Sequence, residues 1–199
     1  MSRIECLSIR YRMEKQKDVS RLDAQAWIRA GAQVLAQSGV NAVKVEPIAK
    51  QLQVTKGSFY WHFKNRRALL EAILHDWVAA ETDRVIEQVE SEGGSAKEKL
   101  LRLFELTVQD DGQVERAIRA WAVSDSMPAE VLQIVDQRRL NYTKDLFVAV
   151  GFTPFEALVR ARLVYYALVA EFMLSKEPEK RADRLKEMRL QHKILTHQD

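Results

Sequence analysis

Apolar residues recur at helical spacing along most of the chain, and this pattern predicts an all-α fold. The first helix carries Trp27 and Leu35 on one face and is expected to end at Gly39, a residue that commonly terminates helices. Ser20 and Asp23 have the spacing of a capping box, which predicts that this helix begins at Ser20.

Two shorter apolar patterns follow in close succession. Ile48 and Leu52 lie one helical turn apart, which predicts a short helix over about residues 45–52. Residues 53–55 form a turn, and the Thr55 hydroxyl is expected to accept a hydrogen bond from a free amide of the next helix. The pattern therefore predicts two short helices separated by a tight turn.

The second short helix has an unusual division between its faces. Phe59 and Phe63 lie four residues apart and are expected to face the protein interior. The remaining positions are expected to face outward: Lys56, Gly57, Ser58, Tyr60, Trp61 and His62. Because exposed aromatic residues are unfavourable without a partner, this face predicts a binding surface. The arrangement is typical of a helix-turn-helix that places its second helix in the major groove of DNA.

Residues 22–74 resemble the DNA-binding domain of the TetR (tetracycline repressor) family of bacterial transcription regulators. The family residues matched in this sequence are Ile48, Ala49, Val54, Thr55, Lys56, Gly57, Phe59, Tyr60, His62, Phe63, Lys64 and Leu69. The chain departs from the family at two positions. Gln53 stands where the family usually has glycine in the turn, and Lys44 stands where a threonine commonly caps the first short helix.

The resemblance implies an N-terminal three-helix helix-turn-helix DNA-binding domain and a C-terminal helical ligand-binding and dimerisation bundle. We expect a basic arm over residues 1–20, the DNA-binding domain over 21–81 with its motif at 44–63, and the bundle over 82–199. The residues expected to contact bases are Lys56, Ser58 and Trp61, with Gly57 allowing close approach of the backbone. The residues expected to contact phosphate are Lys44, Thr55, Tyr60, His62, Lys64 and Arg66.

The distribution of charge agrees with a protein that presents one end to a polyanion. Residues 1–67 hold 13 Lys or Arg and 5 Asp or Glu, a balance of +8, whereas residues 68–199 hold 18 and 23, a balance of −5. A basic segment joined to an acidic one is the expected electrostatic signature of a nucleic-acid-binding protein. If translation starts at Met13, residues 1–12 are not part of the protein.

The chain after Asn65 is expected to be a series of helices, with Asn65 as the cap of the first. Five predicted helices cover about residues 66–90, 95–109, 113–123, 127–151 and 178–195, and a further helix begins at Thr153 and contains residues 163–170. Thr153 and Glu156 form a capping box, and residues 163–170 are apolar on every side, which indicates burial on more than one face. The resemblance implies that the last two helices form a homodimer interface, and a dimer suits a palindromic DNA operator.

Large side chains in the second half allow a cavity for a small apolar or aromatic effector, as the resemblance implies. The expected lining residues are Trp77, Phe104, Trp121, Phe147 and Tyr165. Plain filling of the hydrophobic core is the alternative for each of them.

The sequence lacks the motifs of an enzyme: it has no glycine-rich phosphate loop, no His-Glu-x-x-His and no nucleophile elbow. We therefore expect no catalytic residues, no cofactor and no metal site. With Cys6 as the single cysteine and no secretory signal, the expected location is the bacterial cytoplasm, on the nucleoid and not in a membrane. The resemblance therefore implies a sequence-specific transcriptional regulator, and we expect a repressor that a small apolar or aromatic ligand releases from a palindromic operator, with activation left open. The alternatives are a helical protein-interaction adaptor that has lost DNA binding or a small-molecule enzyme.

Overall fold

The computed structural model describes residues 23–109, 111–174 and 181–198, and all regular structure in these ranges is helical. The expected all-α fold is therefore observed throughout the described part of the chain. The chain divides into two compact units, Met1–Asp76 and Trp77–Asp199, whereas we expected the boundary after residue 81. The expected basic arm at residues 1–20 lies outside the described residues.

The first unit contains a three-helix arrangement and the start of a longer helix. Its elements are α1 (Ala24–Ser38), a 3₁₀ turn (Val40–Ala42), α2 (Val45–Gln51), α3 (Lys56–Tyr60) and α4 (Arg66–Val78), whose last two residues belong to the second unit.

The N-terminus of α1 differs from the predicted capping box. The Asp23 carboxylate accepts a hydrogen bond from the Ala26 amide at 2.9 Å, so Asp23 is the N-cap where we expected Ser20. Ser20 itself lies outside the described residues. At the other end, Gly39 has a positive φ of 74° and its amide bonds to the Leu35 carbonyl, which stops the helix as predicted.

Aromatic packing holds the first unit together. The rings of Trp27 and Phe59 meet edge to face with centroids 5.2 Å apart, and both side chains are fully buried. Helices α1 and α4 approach closely at Gly31, where an added Cβ would lie 2.7 Å from Ile73 Cδ1. The short helix α3 is therefore fixed mainly by its buried Phe59 side chain, because five residues are too few to form a stable helix alone.

The second unit is a bundle of longer helices. Its elements are a π-helical segment (Ala79–Asp83), α5 (Arg84–Ser91), α6 (Ala96–Thr107), α7 (Gln113–Ala122), α8 (Ser126–Val150), α9 (Pro154–Leu174) and α10 (Arg181–Leu195). These bounds agree with the predicted helices to within a few residues, except that the predicted helix over 66–90 contains the π-helical segment.

Capping residues set the ends of these helices. Glu156 accepts bonds from the Thr153 amide and hydroxyl, and its own amide bonds back to Thr153, so the predicted capping box is confirmed. Gly151 ends α8 in a left-handed conformation with φ 119°. Among the described residues no helix is both long and apolar enough to cross a lipid bilayer.

Candidate functional sites

The turn between α2 and α3 sets the direction of α3 relative to α2. Gln53 has a φ of 57°, which confirms that the chain places a non-glycine residue where a left-handed conformation is required. The Val54 amide then bonds to the Ala49 carbonyl at 3.0 Å and closes the turn. Thr55 occupies the N-cap position of α3, but its side chain makes no capping bond, contrary to the prediction.

Large aromatic side chains project into solvent from the end of α3. Tyr60 is 57% exposed and Trp61 is 87% exposed, although Phe59 beside them is fully buried. We call the exposed residues of this segment the reader surface: Thr55, Lys56, Gly57, Tyr60, Trp61, His62 and Lys64. Lys44, the N-terminal neighbour of α2, is exposed as well.

Lys56 is already paired in the isolated chain. Its ammonium group lies 2.6 Å from a carboxylate oxygen of Glu46, and both side chains are more than half exposed. The hydrogen bond between them raises the pKa of Lys56 and lowers the pKa of Glu46. The ammonium has three donors, so a further acceptor can either share it with Glu46 or displace Glu46.

Two predicted contact residues are placed differently from expectation. Ser58 is 8% exposed and its hydroxyl has no hydrogen-bond partner, so the prediction that it faces outward is wrong. The period of α3 turns Ser58 towards the interior beside Phe59. Arg66 donates from Nε to the Val43 carbonyl at 2.6 Å and also bonds to the Val40 carbonyl, so its guanidinium holds the 3₁₀ turn. Neither residue belongs to the reader surface.

The second unit encloses a cavity of about 290 Å³. Its walls are mainly apolar, and their apolar residues include Val85 of α5, Leu103 of α6, Val164 and Phe172 of α9 and Met188 of α10. Residues of the π-helical segment, α7 and α8 complete the lining. Of the five residues expected to line an effector site, Phe104 and Tyr165 lie on its wall.

The other three expected residues, Trp77, Trp121 and Phe147, do not line this cavity. Phe147 belongs to the hydrophobic core, where its ring lies 6.0 Å from that of Phe152. Trp121 donates from its indole to Asp125 at 3.0 Å. Trp77 lies under the Arg139 guanidinium, 5.2 Å from ring centroid to Cζ. The core-filling alternative is therefore correct for Phe147, because aromatic size alone does not indicate which way a side chain points.

A buried ion network borders the cavity, and its members Glu115, Arg139 and Tyr165 line the cavity wall. Glu115, only 3% exposed, accepts bonds from Arg119 at 2.7 Å and from Arg139 at 2.8 Å. Arg119 also contacts Asp136 at 2.7 Å, and the Tyr165 hydroxyl donates to Asp136 at 2.6 Å. Burial of its ring raises the pKa of Tyr165 above its ordinary range, so the phenol stays protonated and acts as a donor. The two cations and two anions of the network balance each other.

Sequence reasoning missed Glu115, Arg139 and Thr82 as cavity residues. The i,i+4 spacing of Glu115 and Arg119 was a usable signal, although such pairs are most often solvated surface contacts. Nothing in the sequence pairs Arg139 with Thr82, because the two residues are brought together only by the packing of α8 against the π-helical segment.

Comparisons with known proteins match segments of different length in this chain. Residues 28–73 match the family of bacterial regulatory proteins described as the tetR family. The chain is 36% identical over 55 residues to tetracycline repressor protein class G of Vibrio anguillarum, covering 28% of this chain and 26% of that protein. It is 32% identical over 119 residues to the transcriptional regulator AcuR of Cereibacter sphaeroides, covering 58% of this chain and 52% of AcuR. The matched segments thus span about a quarter and about half of these relatives.

The fold is also similar to that of solved structures. One of them is the crystal structure of a transcriptional regulator from Rhodococcus sp. Rha1. Its superposition covers 87% of this chain and 95% of the Rhodococcus chain, with a TM-score of 0.69 at 18% identity. At this identity the likeness establishes the fold, a helix-turn-helix domain followed by a helical region. The family match over residues 28–73 lies within the helix-turn-helix part of this fold. Residues 28–73 are therefore similar to the tetR family of bacterial regulatory proteins, within a chain whose fold is that of solved transcriptional regulators.

Proposed function

We propose that the chain works as a homodimer that binds a palindromic DNA operator through its reader surfaces and is released by a small uncharged effector. The observation that carries this proposal is the exposure of Tyr60 and Trp61 beside the exposed Lys56 and Lys64, on a helix held in place by buried phenylalanines. Aromatic and cationic side chains on an exposed helix can contact the base edges and the backbone phosphates of DNA.

The residues of the reader surface take different roles in this proposal. Lys56 and Trp61 contact bases, because α3 carries them at its exposed side and end. The residues that contact phosphate are Lys44, Thr55, Tyr60, His62 and Lys64. Their cationic, hydroxyl and imidazole groups are those that commonly bind backbone oxygens.

An apolar stripe on α9 supports the homodimer. Phe155, Val159, Leu163, Tyr166 and Met173 follow each other at intervals of three, four or seven residues, and each is at least 40% exposed. These intervals keep the residues on one helical face. On α10, Leu190 and Ile194 are 57% and 60% exposed. Such a stripe in solvent favours burial against a second copy, whose symmetric reader surface would address the other half-site.

The chemistry of the cavity supports an uncharged effector. Glutamates line it at positions 81, 115, 171 and 187, whereas Arg139 is its one lining cation among the described residues. Arg139 is already engaged by Glu115. An anionic ligand would therefore face carboxylates without a cation to neutralise it, while an apolar molecule gains contact with the aliphatic and aromatic walls. Release from DNA requires the effector to bind the two conformations of the dimer with different affinities.

DNA binding is tested by selecting duplexes from a random pool with the full chain, followed by fluorescence anisotropy across a salt series. Lys64→Ala is expected to weaken all duplexes alike and to reduce the slope of log affinity against log salt by about 1. Lys97→Ala, the same charge change at an exposed position on α6, serves as the matched control and should leave the slope unchanged. An altered sequence preference with an unchanged slope in Lys64→Ala contradicts the phosphate assignment.

The adaptor alternative makes the opposite prediction in the same experiment. If the wild-type chain selects no duplex and shows no mobility shift at low salt, the DNA-binding proposal fails.

Dimerisation is tested by sedimentation. Leu163→Asp places a charge in the middle of the α9 stripe and is expected to give a monomer, because a buried unpaired charge disrupts an apolar interface. Val123→Asp, at a position 89% exposed just after α7, is the matched control and should remain dimeric. A wild-type monomer would remove the dimer from the proposal.

The effector class is tested with two dyes that share one aromatic skeleton. N-phenyl-1-naphthylamine is uncharged, whereas 1-anilinonaphthalene-8-sulfonate carries a sulfonate. We expect the uncharged dye to bind at least about tenfold more tightly, and Ala167→Phe, which fills the cavity wall, to abolish that binding. Tighter binding of the sulfonate would overturn the assignment of an uncharged effector.

A further inference from the structure

A wide turn interrupts the helical path between α4 and α5. Residues Ala79–Asp83 are π-helical, directly after α4 ends at Val78 and directly before α5 begins at Arg84. A π-helical turn holds one more residue than an α-helical turn and is less stable, so such turns persist where neighbouring groups hold them. The neighbours of this segment therefore determine whether it keeps its shape.

Two adjacent arginines of α8 hold the segment. Arg139 donates from Nε to the Thr82 hydroxyl at 2.9 Å and from Nη2 to the Glu81 carbonyl at 3.1 Å. Arg138 bonds to the carboxylate of Asp83. We call the Arg139 bonds to Thr82 and Glu81 the clasp. Thr82 is 1% exposed, so no water replaces the hydroxyl contact while the clasp is closed.

The clasp also forms part of the cavity wall. Glu81, Thr82 and Arg139 all line the 290 Å³ cavity, next to Val85 and Ile86 of α5. A molecule that fills this cavity must therefore touch the clasp. A hydrogen-bond acceptor on the molecule could compete with the Thr82 hydroxyl and the Glu81 carbonyl for the Arg139 guanidinium.

Opening the clasp does not leave a buried charge without a partner. Arg139 keeps its bond to Glu115 at 2.8 Å and its place over the Trp77 ring at 5.2 Å. An unpaired buried charge would be strongly unfavourable, whereas here only the hydrogen bonds to Thr82 and Glu81 are exchanged. The clasp is thus a contact that can open while the ion network behind it stays intact.

We propose that Arg139 is a positioning residue: its clasp on Thr82 and Glu81 keeps the π-helical segment in place, and opening the clasp switches DNA binding off. This inference rests on the proposed function. If the wide turn tightens or moves along the helix, residues before it shift by up to one helical position, about 1.5 Å and about 100° of rotation. Helix α4 precedes the turn directly, and most of its residues belong to the first unit.

A matched pair of variants at Thr82 tests the clasp without removing the ion network. Thr82→Val keeps the size of the side chain but removes the acceptor for Arg139, whereas Thr82→Ser keeps the hydroxyl. Hydrogen exchange followed by mass spectrometry, on the full chain, reports the protection of amides 79–83. We expect exchange there to be about tenfold faster in Thr82→Val, with unchanged exchange in α6 and α8, and wild-type exchange in Thr82→Ser.

The same variants are then compared on the duplex selected by the wild-type chain. Affinity should fall by about fivefold or more in Thr82→Val and stay at the wild-type value in Thr82→Ser. Equal exchange in the two variants, or faster exchange spread over the whole second unit, overturns the clasp. Faster exchange at residues 79–83 with unchanged DNA affinity overturns its role as a switch.

A failure of the proposed function gives a different experimental result from a failure of the clasp. In that case the wild-type chain binds no duplex and the switch falls with it, while the exchange data still decide whether Arg139 holds the segment.

Discussion

The two units of this chain differ in whether their paired charged side chains are exposed or buried. On the reader surface Lys56 pairs with Glu46, and both side chains are more than half exposed. In the second unit Glu115 is 3% exposed and is bonded to both Arg119 and Arg139. The exposed pair is screened by water and salt and can exchange partners, whereas the buried network has no substitute partner.

This difference explains how one short chain combines a binding surface with a stable interior. Exposed pairs contribute little to stability, so the reader surface can give up the contact of Lys56 with Glu46 when it binds DNA. Buried charges must stay paired, so the ion network maintains the cavity and keeps α7 and α8 together. Substitutions in the two regions should therefore act on different measurements, stability in one and DNA affinity in the other.

The largest effect should come from removing the anion at the centre of the network. Glu115→Ala leaves Arg119 and Arg139 without their shared carboxylate, and we expect a loss of about 3–5 kcal/mol in the free energy of unfolding. Chemical denaturation of the full chain measures this loss. Glu105→Ala, whose partner Arg189 is 62% exposed, is the control and should cost no more than about 1 kcal/mol. Similar losses in both variants would remove the contrast between the regions.

A smaller effect, on DNA alone, is expected at Trp61. Because this side chain is 87% exposed, Trp61→Ala should leave the unfolding free energy unchanged. Its base contacts should disappear, with a loss of about 1–3 kcal/mol on the selected duplex and less on a scrambled one. Anisotropy titrations of the two duplexes measure the ratio. An equal loss on both would assign Trp61 to the DNA backbone.

Between pH 7.5 and 5 a still weaker effect is expected in the second unit, where stability depends on the protonation of His192. Burial lowers the pKa of His192 below its ordinary value of 6.5, while Nε2 bonds to the Lys97 carbonyl at 2.9 Å. Below pH 6.5 the unfolded chain therefore takes up a proton before the folded chain does. The stabilisation is complete above pH 6.5 and declines as the pH falls towards the folded pKa. Thermal unfolding from pH 7.5 to 5 should show this decline in the wild type and a flatter profile in His192→Gln.

The smallest effect is expected at Ser58, which the sequence alone placed on the exposed face of α3 although its side chain is buried. Its hydroxyl is buried without a partner, so Ser58→Ala should leave stability unchanged or raise it by up to about 1 kcal/mol. DNA affinity should not change, because the side chain does not belong to the reader surface. Melting temperature and anisotropy measure the two quantities. A clear loss of affinity would restore Ser58 as a base contact.

Periodicity and capping residues were sufficient to predict the helices. The spacing of Phe59 and Phe63 identified the buried side of the reader helix, and both are buried. Gly39, Asn65 and the pair Thr153 and Glu156 marked helix ends that the structure also has. These signals are local, since a cap or a turn depends on residues within about one helical turn of each other.

Local signals did not predict which polar groups would meet across the bundle. Ser58 and Arg66 were expected at a binding surface, yet one is buried and the other bonds to the Val40 and Val43 carbonyls. Three of the five expected cavity residues lie elsewhere. A side chain's identity does not specify its distant neighbours, because these are set by how helices pack.

The sequence by itself determined the helical elements, the turn that exposes the reader helix and the basic character of the first unit. Only the tertiary structure decided the cavity, its neutral ion network and the clasp of Arg139 on Thr82, which are 57 residues apart in the chain. The physical reason is range: hydrogen bonds within a helix connect near neighbours, whereas a cavity requires side chains from several helices to converge.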